Sequence, residues 1–176
     1  LFTQYLIDVL DNNENFLGGP KFPISTALAS DVTVLASSYS VAYGRTGNGV
    51  VNVTSRSGSN EWTGEAFYLV RPGASVDASS PFASRDLAGN PVLDGFRRDQ
   101  IGLSLGGPIL KDRTFFFANV EYTSDQKDNL LASPGLGINE TVRGNNENIL
   151  ASLKLDHRLD EKWRLALRIN HGDFDI

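Results

Sequence analysis

The stretch Trp163-Arg164-Leu165-Ala166-Leu167-Arg168-Ile169-Asn170 decides how this chain reads. Trp163, Leu165, Leu167 and Ile169 alternate with Arg164, Ala166, Arg168 and Asn170. A strand turns successive side chains to opposite faces, so each set occupies one face of a sheet. The same alternation recurs upstream. Ile101, Leu103 and Leu105 oppose Arg98, Gln100, Gly102 and Ser104. Phe116, Ala118, Val120 and Tyr122 oppose Phe115, Phe117, Asn119 and Glu121. Ile149, Ala151, Leu153 and Leu155 oppose Leu150, Ser152, Lys154 and Asp156. Thr63–Arg71 is the least regular strand, with Gly64, Ala66, Tyr68 and Val70 opposite Glu65. No apolar-face position carries a charge. Alternation alone fits an antiparallel soluble sheet whose ionic face is wet and whose apolar face is covered.

The connections point elsewhere. Leu110–Arg113 and Leu159–Lys162 are short, whereas Pro72–Phe96 and Ser124–Asn148 are long. Short and long links alternating along an up-and-down sheet put all short turns on one edge and all long loops on the other. Outer-membrane barrels have this asymmetry. Strands of about 9–11 residues also suit a tilted crossing of a bilayer. Trp62 and Trp163 fall at short-turn ends, and Phe96 and Tyr122 at long-loop ends, where membrane proteins place interfacial rings.

Composition narrows the rest. The 176 residues carry a net charge of −5, with no basic excess to neutralise phosphates, so nucleic acid is not an expected partner. There is no cysteine and there are two histidines, which leaves little for thiol, zinc or triad chemistry. No apolar run approaches the roughly 20 residues of a membrane helix, which says nothing about strands. The chain begins at Leu1, contains no Met and shows no signal-peptide pattern, so it reads as a piece of something longer. Five strands cannot close around another domain, and an open apolar sheet aggregates.

Residues 1–58 are different. Ser25 and Thr26 predict a cap for a short helix over Ala27–Ser30. Val32–Leu35 and Val50–Thr54 read as strands. Ser38–Tyr43 reads as one or two helical turns stopped by Gly44, and Gly47-Asn48-Gly49 as a tight turn. Together they predict a compact α+β unit. Asn52 is polar inside an apolar strand and is expected to satisfy neighbouring backbone groups.

The run Asp31–Leu35, followed by Tyr39-Ser40-Val41-Ala42-Tyr43-Gly44-Arg45-Thr46-Gly47-Asn48-Gly49-Val50-Val51-Asn52-Val53-Thr54-Ser55-Arg56-Ser57-Gly58, resembles the end of the plug domain of TonB-dependent outer-membrane receptors. Phe96-Arg97-Arg98-Asp99-Gln100, Gly106-Gly107-Pro108-Ile109 and Asp112–Phe117 resemble the first barrel hairpin of the Oar-like branch. Tyr5-Leu6-Ile7-Asp8 with Asp11-Asn12-Asn13 also fits, although the family usually has Gly where this chain has Val9. The resemblance implies a mainly β fold: the C-terminal part of an α+β plug (1–58), then the first roughly five antiparallel strands of a large transmembrane β-barrel (59–176). It implies a transporter, not an enzyme, that takes up a scarce extracellular solute such as a siderophore, cobalamin, a glycan or a peptide. It implies location in the cell outer membrane of a Gram-negative-type bacterium. Its partners would be outer-membrane lipid and a TonB-type energy-coupling complex acting through a segment not present here. The other readings are a soluble antiparallel β-domain that binds a ligand or glycan, and an outer-membrane adhesin without transport.

Glu65, Arg98, Gln100, Glu121, Lys154, Arg164 and Arg168 are the candidates to face the barrel lumen. No catalytic, cofactor or metal residue is expected. Asp11-x-Asn13-x-Asn15 opens like a calcium loop, but Phe16 and Phe22 stand where Gly and Glu belong. Gly44–Gly49 lacks the Gly-Lys-Ser/Thr of a phosphate loop. His157 near a turn, and His171 beside Asp173, have no evident nucleophile and read as structural. Asp77, Asp86, Asp94 and Asp125 are expected to solvate the long loops.

Overall fold

The computed structural model describes residues 3–16, 18–36, 40, 43, 47–73, 85–86, 88–90 and 95–175. They form two sheets. The first has the order β2-β1-β4-β3, built from β1 (Thr3–Ile7), β2 (Leu10–Asp11), β3 (Ala29–Leu35) and β4 (Gly49–Ser55). The second has the order β5-β6-β7-β8-β9, from β5 (Thr63–Arg71), β6 (Arg97–Leu110), β7 (Thr114–Ser133), β8 (Ile138–Arg158) and β9 (Arg164–Asp175). By contacts the chain divides into two compact units. One comprises Leu1–Glu65, Leu103–Val120 and Leu150–Gly172, and the other Ala66–Gly102, Glu121–Ile149 and Asp173–Ile176.

β4 is an inner strand of the first sheet. It pairs parallel with β1, Tyr5 opposite Val51, and antiparallel with β3, Val34 opposite Val51. Its Val-rich sequence suits a strand bonded on both sides. Leu6, Ile7, Ala27, Leu28 and Val50 form the small apolar core here. Gly49 has φ 141°, and a Cβ there would lie 2.6 Å from the Leu35 carbonyl oxygen, so only glycine lets β3 and β4 approach at this end.

The helix expected over Ala27–Ser30 is not formed. Ser25 Oγ accepts the Ala27 amide at 3.2 Å and closes a single turn, after which Ala29 already belongs to β3. A capping side chain competes equally well for a turn, and the strand pairing that follows takes the remaining residues. Among the described residues there is no α-helix. A helical reading over Ser38–Tyr43 and the Gly44 turn fall largely outside the described residues.

In the second sheet, neighbours run antiparallel. Phe67 stands at Gly102 and Thr63 at Gly106, and Gln100 Nε2 donates to Glu121 Oε1 at 2.8 Å while Arg98 reaches Asp125. Rising numbers on one strand meet falling numbers on the next. The expected strands are all present, but the outer ends differ. Ser124–Asn148 is not a long loop: β7 and β8 extend through it to a 3-10 turn at Pro134–Leu136. Backbone pairing carries the hairpin onward after the hydrophobic alternation has stopped, and periodicity cannot register that.

The distribution of side chains is the reverse of a soluble sheet. Leu165 is 59% exposed and Leu167 53%, with Ile101, Leu103, Leu105, Val120 and Ile149 also exposed. Glu121 is only 6% exposed and Lys154 9%, alongside buried Ser104, Asn119 and Ser152. A soluble β-domain needs the opposite arrangement.

Candidate functional site

The polar face of β8 and β9 meets the first sheet at one carboxylate. Asp8, in the turn after β1, accepts the Ser55 amide at 2.7 Å and the Ser55 hydroxyl at 2.6 Å. The same hydroxyl accepts Lys154 Nζ at 2.9 Å, and Lys154 Nζ lies 3.5 Å from Asp8 Oδ2. Arg168 Nη1 donates to Asp8 Oδ2, and its Nη2 donates to the Ile7 carbonyl at 3.1 Å. Burial pushes the Asp8 carboxyl up, but the Ser55 hydroxyl and amide, Lys154 and Arg168 outweigh it and hold the group below its usual value of 3.8. The side chains of Lys154 and Arg168 are 11% and 13% exposed, so charges on both sides are largely withdrawn from water.

Sequence reasoning picked out Lys154 and Arg168 but missed Asp8 and Ser55. A lone Asp after an apolar strand carries no local mark of cationic partners some 150 residues away. The other candidates fall in separate places. Glu65 pairs with Arg56 at 3.0 Å, an exposed contact. Gln100 and Glu121 bond to each other. Arg98 grips Asp125 by two bonds of 2.6 Å and stacks over Phe96, which also lies under Arg71. Arg164 lines a cleft of about 220 Å³ with Ser57, Gly58, Phe115, Asp156, His157 and Arg158. In that cleft, His157 Nδ1 is 2.8 Å from the Thr114 hydroxyl.

Asp125 is therefore an ion-pair partner and not only a solvating group. Asp86 closes its own loop by accepting the Ala88 and Asn90 amides at 3.0 and 2.8 Å. The Asn90 side chain and backbone lower its pKa. Asp77 and Asp94 lie outside the described residues. Asp11 spends its carboxylate on Asn13, and Asn13 Oδ1 accepts the Tyr5 amide, so the calcium-like residues are turn residues. Asn52 does what its place in an apolar strand suggests: its Oδ1 accepts the Val9 amide at 3.0 Å.

Polar groups gathered on the covered face, with hydrocarbon side chains on the open one, describe strands of a membrane barrel. Residues 54–134 match the outer membrane beta barrel domain family. The chain is also similar to the TonB-dependent transporter Oar of Myxococcus xanthus, at 34% identity over 118 residues. That alignment covers 65% of this chain and 11% of the relative, so the chain spans about a tenth of the curated protein it matches. No solved structure matches. The chain carries outer-membrane β-barrel strands, is similar to a TonB-dependent transporter of the Oar type over 118 residues, and has its place in the outer membrane.

Proposed function

We propose that the full-length protein is a TonB-dependent transporter that binds a scarce extracellular solute and passes it inward by energy-coupled rearrangement of a plug. Residues 1–58 are the end of that plug and residues 59–176 the first five barrel strands. The observation that carries this reading is the inverted sheet: leucine and isoleucine outward, Glu121 and Lys154 inward. A contiguous exposed apolar face of this kind marks a membrane surface. Glu65, Arg98, Gln100, Glu121, Lys154, Arg164 and Arg168 then face the lumen.

Strand length agrees with a membrane role. β7 and β8 have 20 and 21 residues, about twice the 9–11 needed to cross. The surplus over Ser124–Asn148 is mostly polar, broken by Leu130, Leu131, Leu136, Ile138 and Val142, as suits a hairpin standing in water beyond the bilayer. The solute classes are iron chelates, cobalamin, glycans and peptides.

The test is uptake by cells carrying the full-length gene, probed with radiolabelled ferric citrate, radiolabelled cobalamin, a labelled oligosaccharide and a labelled peptide. Uptake of one probe that disappears when the energy-coupling complex is deleted supports transport. Surface attachment unaffected by that deletion, with no uptake of any probe, favours an adhesin on the same barrel.

A further inference from the structure

Asp8 and Val9 form the two-residue turn that joins β1 to β2, with Ile7 paired opposite Leu10. Both have positive φ, 49° for Asp8 and 68° for Val9. Two left-handed residues in succession are the signature of a type I′ turn, which calls for Asn-Gly or Asp-Gly. Asp tolerates this region. Val does not, because its branched Cβ crowds the backbone there. Val9 is 64% exposed, so no burial offsets that strain.

The turn is imposed from outside. The Asp8 amide donates to the Val53 carbonyl at 2.9 Å, and the Val9 amide to Asn52 Oδ1 at 3.0 Å. The Asp8 carboxylate is gripped by Ser55 of β4, Lys154 of β8 and Arg168 of β9. Every one of these contacts is tertiary, while the local residue choice at Val9 opposes the conformation.

We propose that the Asp8–Val9 turn is a strained clasp, kept left-handed by the grip of Ser55, Lys154 and Arg168 on Asp8 and poised to spring open when that grip is lost. Release would free the β1–β2 end of the first sheet in a single step. The role of this step in passage rests on the transporter reading; the strain itself does not.

Hydrogen exchange in the full-length protein in detergent micelles tests it, read at the amides of Asp8, Val9 and Ser55. Val9→Asn, which suits a left-handed position, should slow exchange about fivefold. Asp8→Asn should speed it. In the Asp8→Asn background, Val9→Asn should have little effect, because an ungripped turn has already relaxed. Val9→Gly repeats the first arm with a residue that has no Cβ to crowd the left-handed backbone. Unchanged exchange in both Val9 variants, or effects of Val9→Asn and Asp8→Asn that simply add, would overturn the clasp. The readout needs neither solute nor coupling partner, so a failure of the transport reading leaves it intact, and the reverse holds.

Discussion

Asn60 and Asp112 hold each other by two hydrogen bonds across 52 residues of sequence: Asn60 Nδ2 donates to Asp112 Oδ1 at 2.6 Å, and the Asp112 amide donates to Asn60 Oδ1 at 2.8 Å. Asp112 has φ 63° and sits in the short turn between β6 and β7, where the Arg113 amide also reaches the Leu110 carbonyl at 3.1 Å. The segment entering β5 thus fixes the β6–β7 turn. Asn60→Ala should cost about 1 kcal/mol by losing both bonds at an exposed site. Chemical denaturation of the refolded full-length barrel measures this, and no change would mean that the turn holds itself.

The inverted sheet makes a directional prediction. Leu103→Arg puts a charge on the exposed apolar face of β6 and should cost about 2–4 kcal/mol near the bilayer middle. Arg164→Leu, on the ionic side, should cost less. Heat-modifiable mobility of the assembled barrel reports the yield, and equal yields for both would reverse the facing.

Arg168→Leu is not a silent change on a wet face. It removes a guanidinium bonded to Asp8 and to the Ile7 carbonyl, and should cost about 1–3 kcal/mol. Arg168→Lys should restore part of the charge contact but not the two-pronged geometry. Thermal melting of the three proteins ranks them.

The Asp8 contact sets a pH dependence. The folded pKa lies below 3.8, so the unfolded carboxyl binds a proton first as pH falls. The stabilisation is complete above the unfolded value and disappears as pH drops through the lowered folded one. Neutral solution leaves the contact intact. Melting temperature followed from pH 7 down to acid should fall less steeply in Asp8→Asn than in the parent; parallel curves would show that Asp8 contributes nothing.

Phe67 lies against the backbone of Gly102, where a Cβ would collide with the ring, and Trp62 lies over Gly107 with ring atoms 2.8 Å from a Cβ built there. Such rings cover strand glycines and fix register. Gly102→Val should cost about 1–3 kcal/mol by overpacking. Adding Phe67→Ala should recover part of it. Stability of single and double variants checks the coupling.

The period-two alternation of Leu103, Leu153, Leu165 and their neighbours was enough to place all five long strands and to say that one face of each is free of charge along its alternating part; beyond it, charges such as Arg97, Asp99 and Asp173 stand on that same face. That information is local: it lies in the order of adjacent side chains. The bonding role of Asn52 was legible for the same reason, since a polar group inside an apolar strand must find a partner nearby. The length of the β7–β8 hairpin was not legible, because backbone pairing continues through residues with no alternation to show it. Nor was the turn at Ala27, where Ser25 serves a turn as readily as a helix. The meeting of Asp8 with Ser55, Lys154 and Arg168 was settled only in three dimensions. Ion pairs depend on distance in space, and nothing in the neighbourhood of Asp8 along the chain encodes which strands the fold brings beside it.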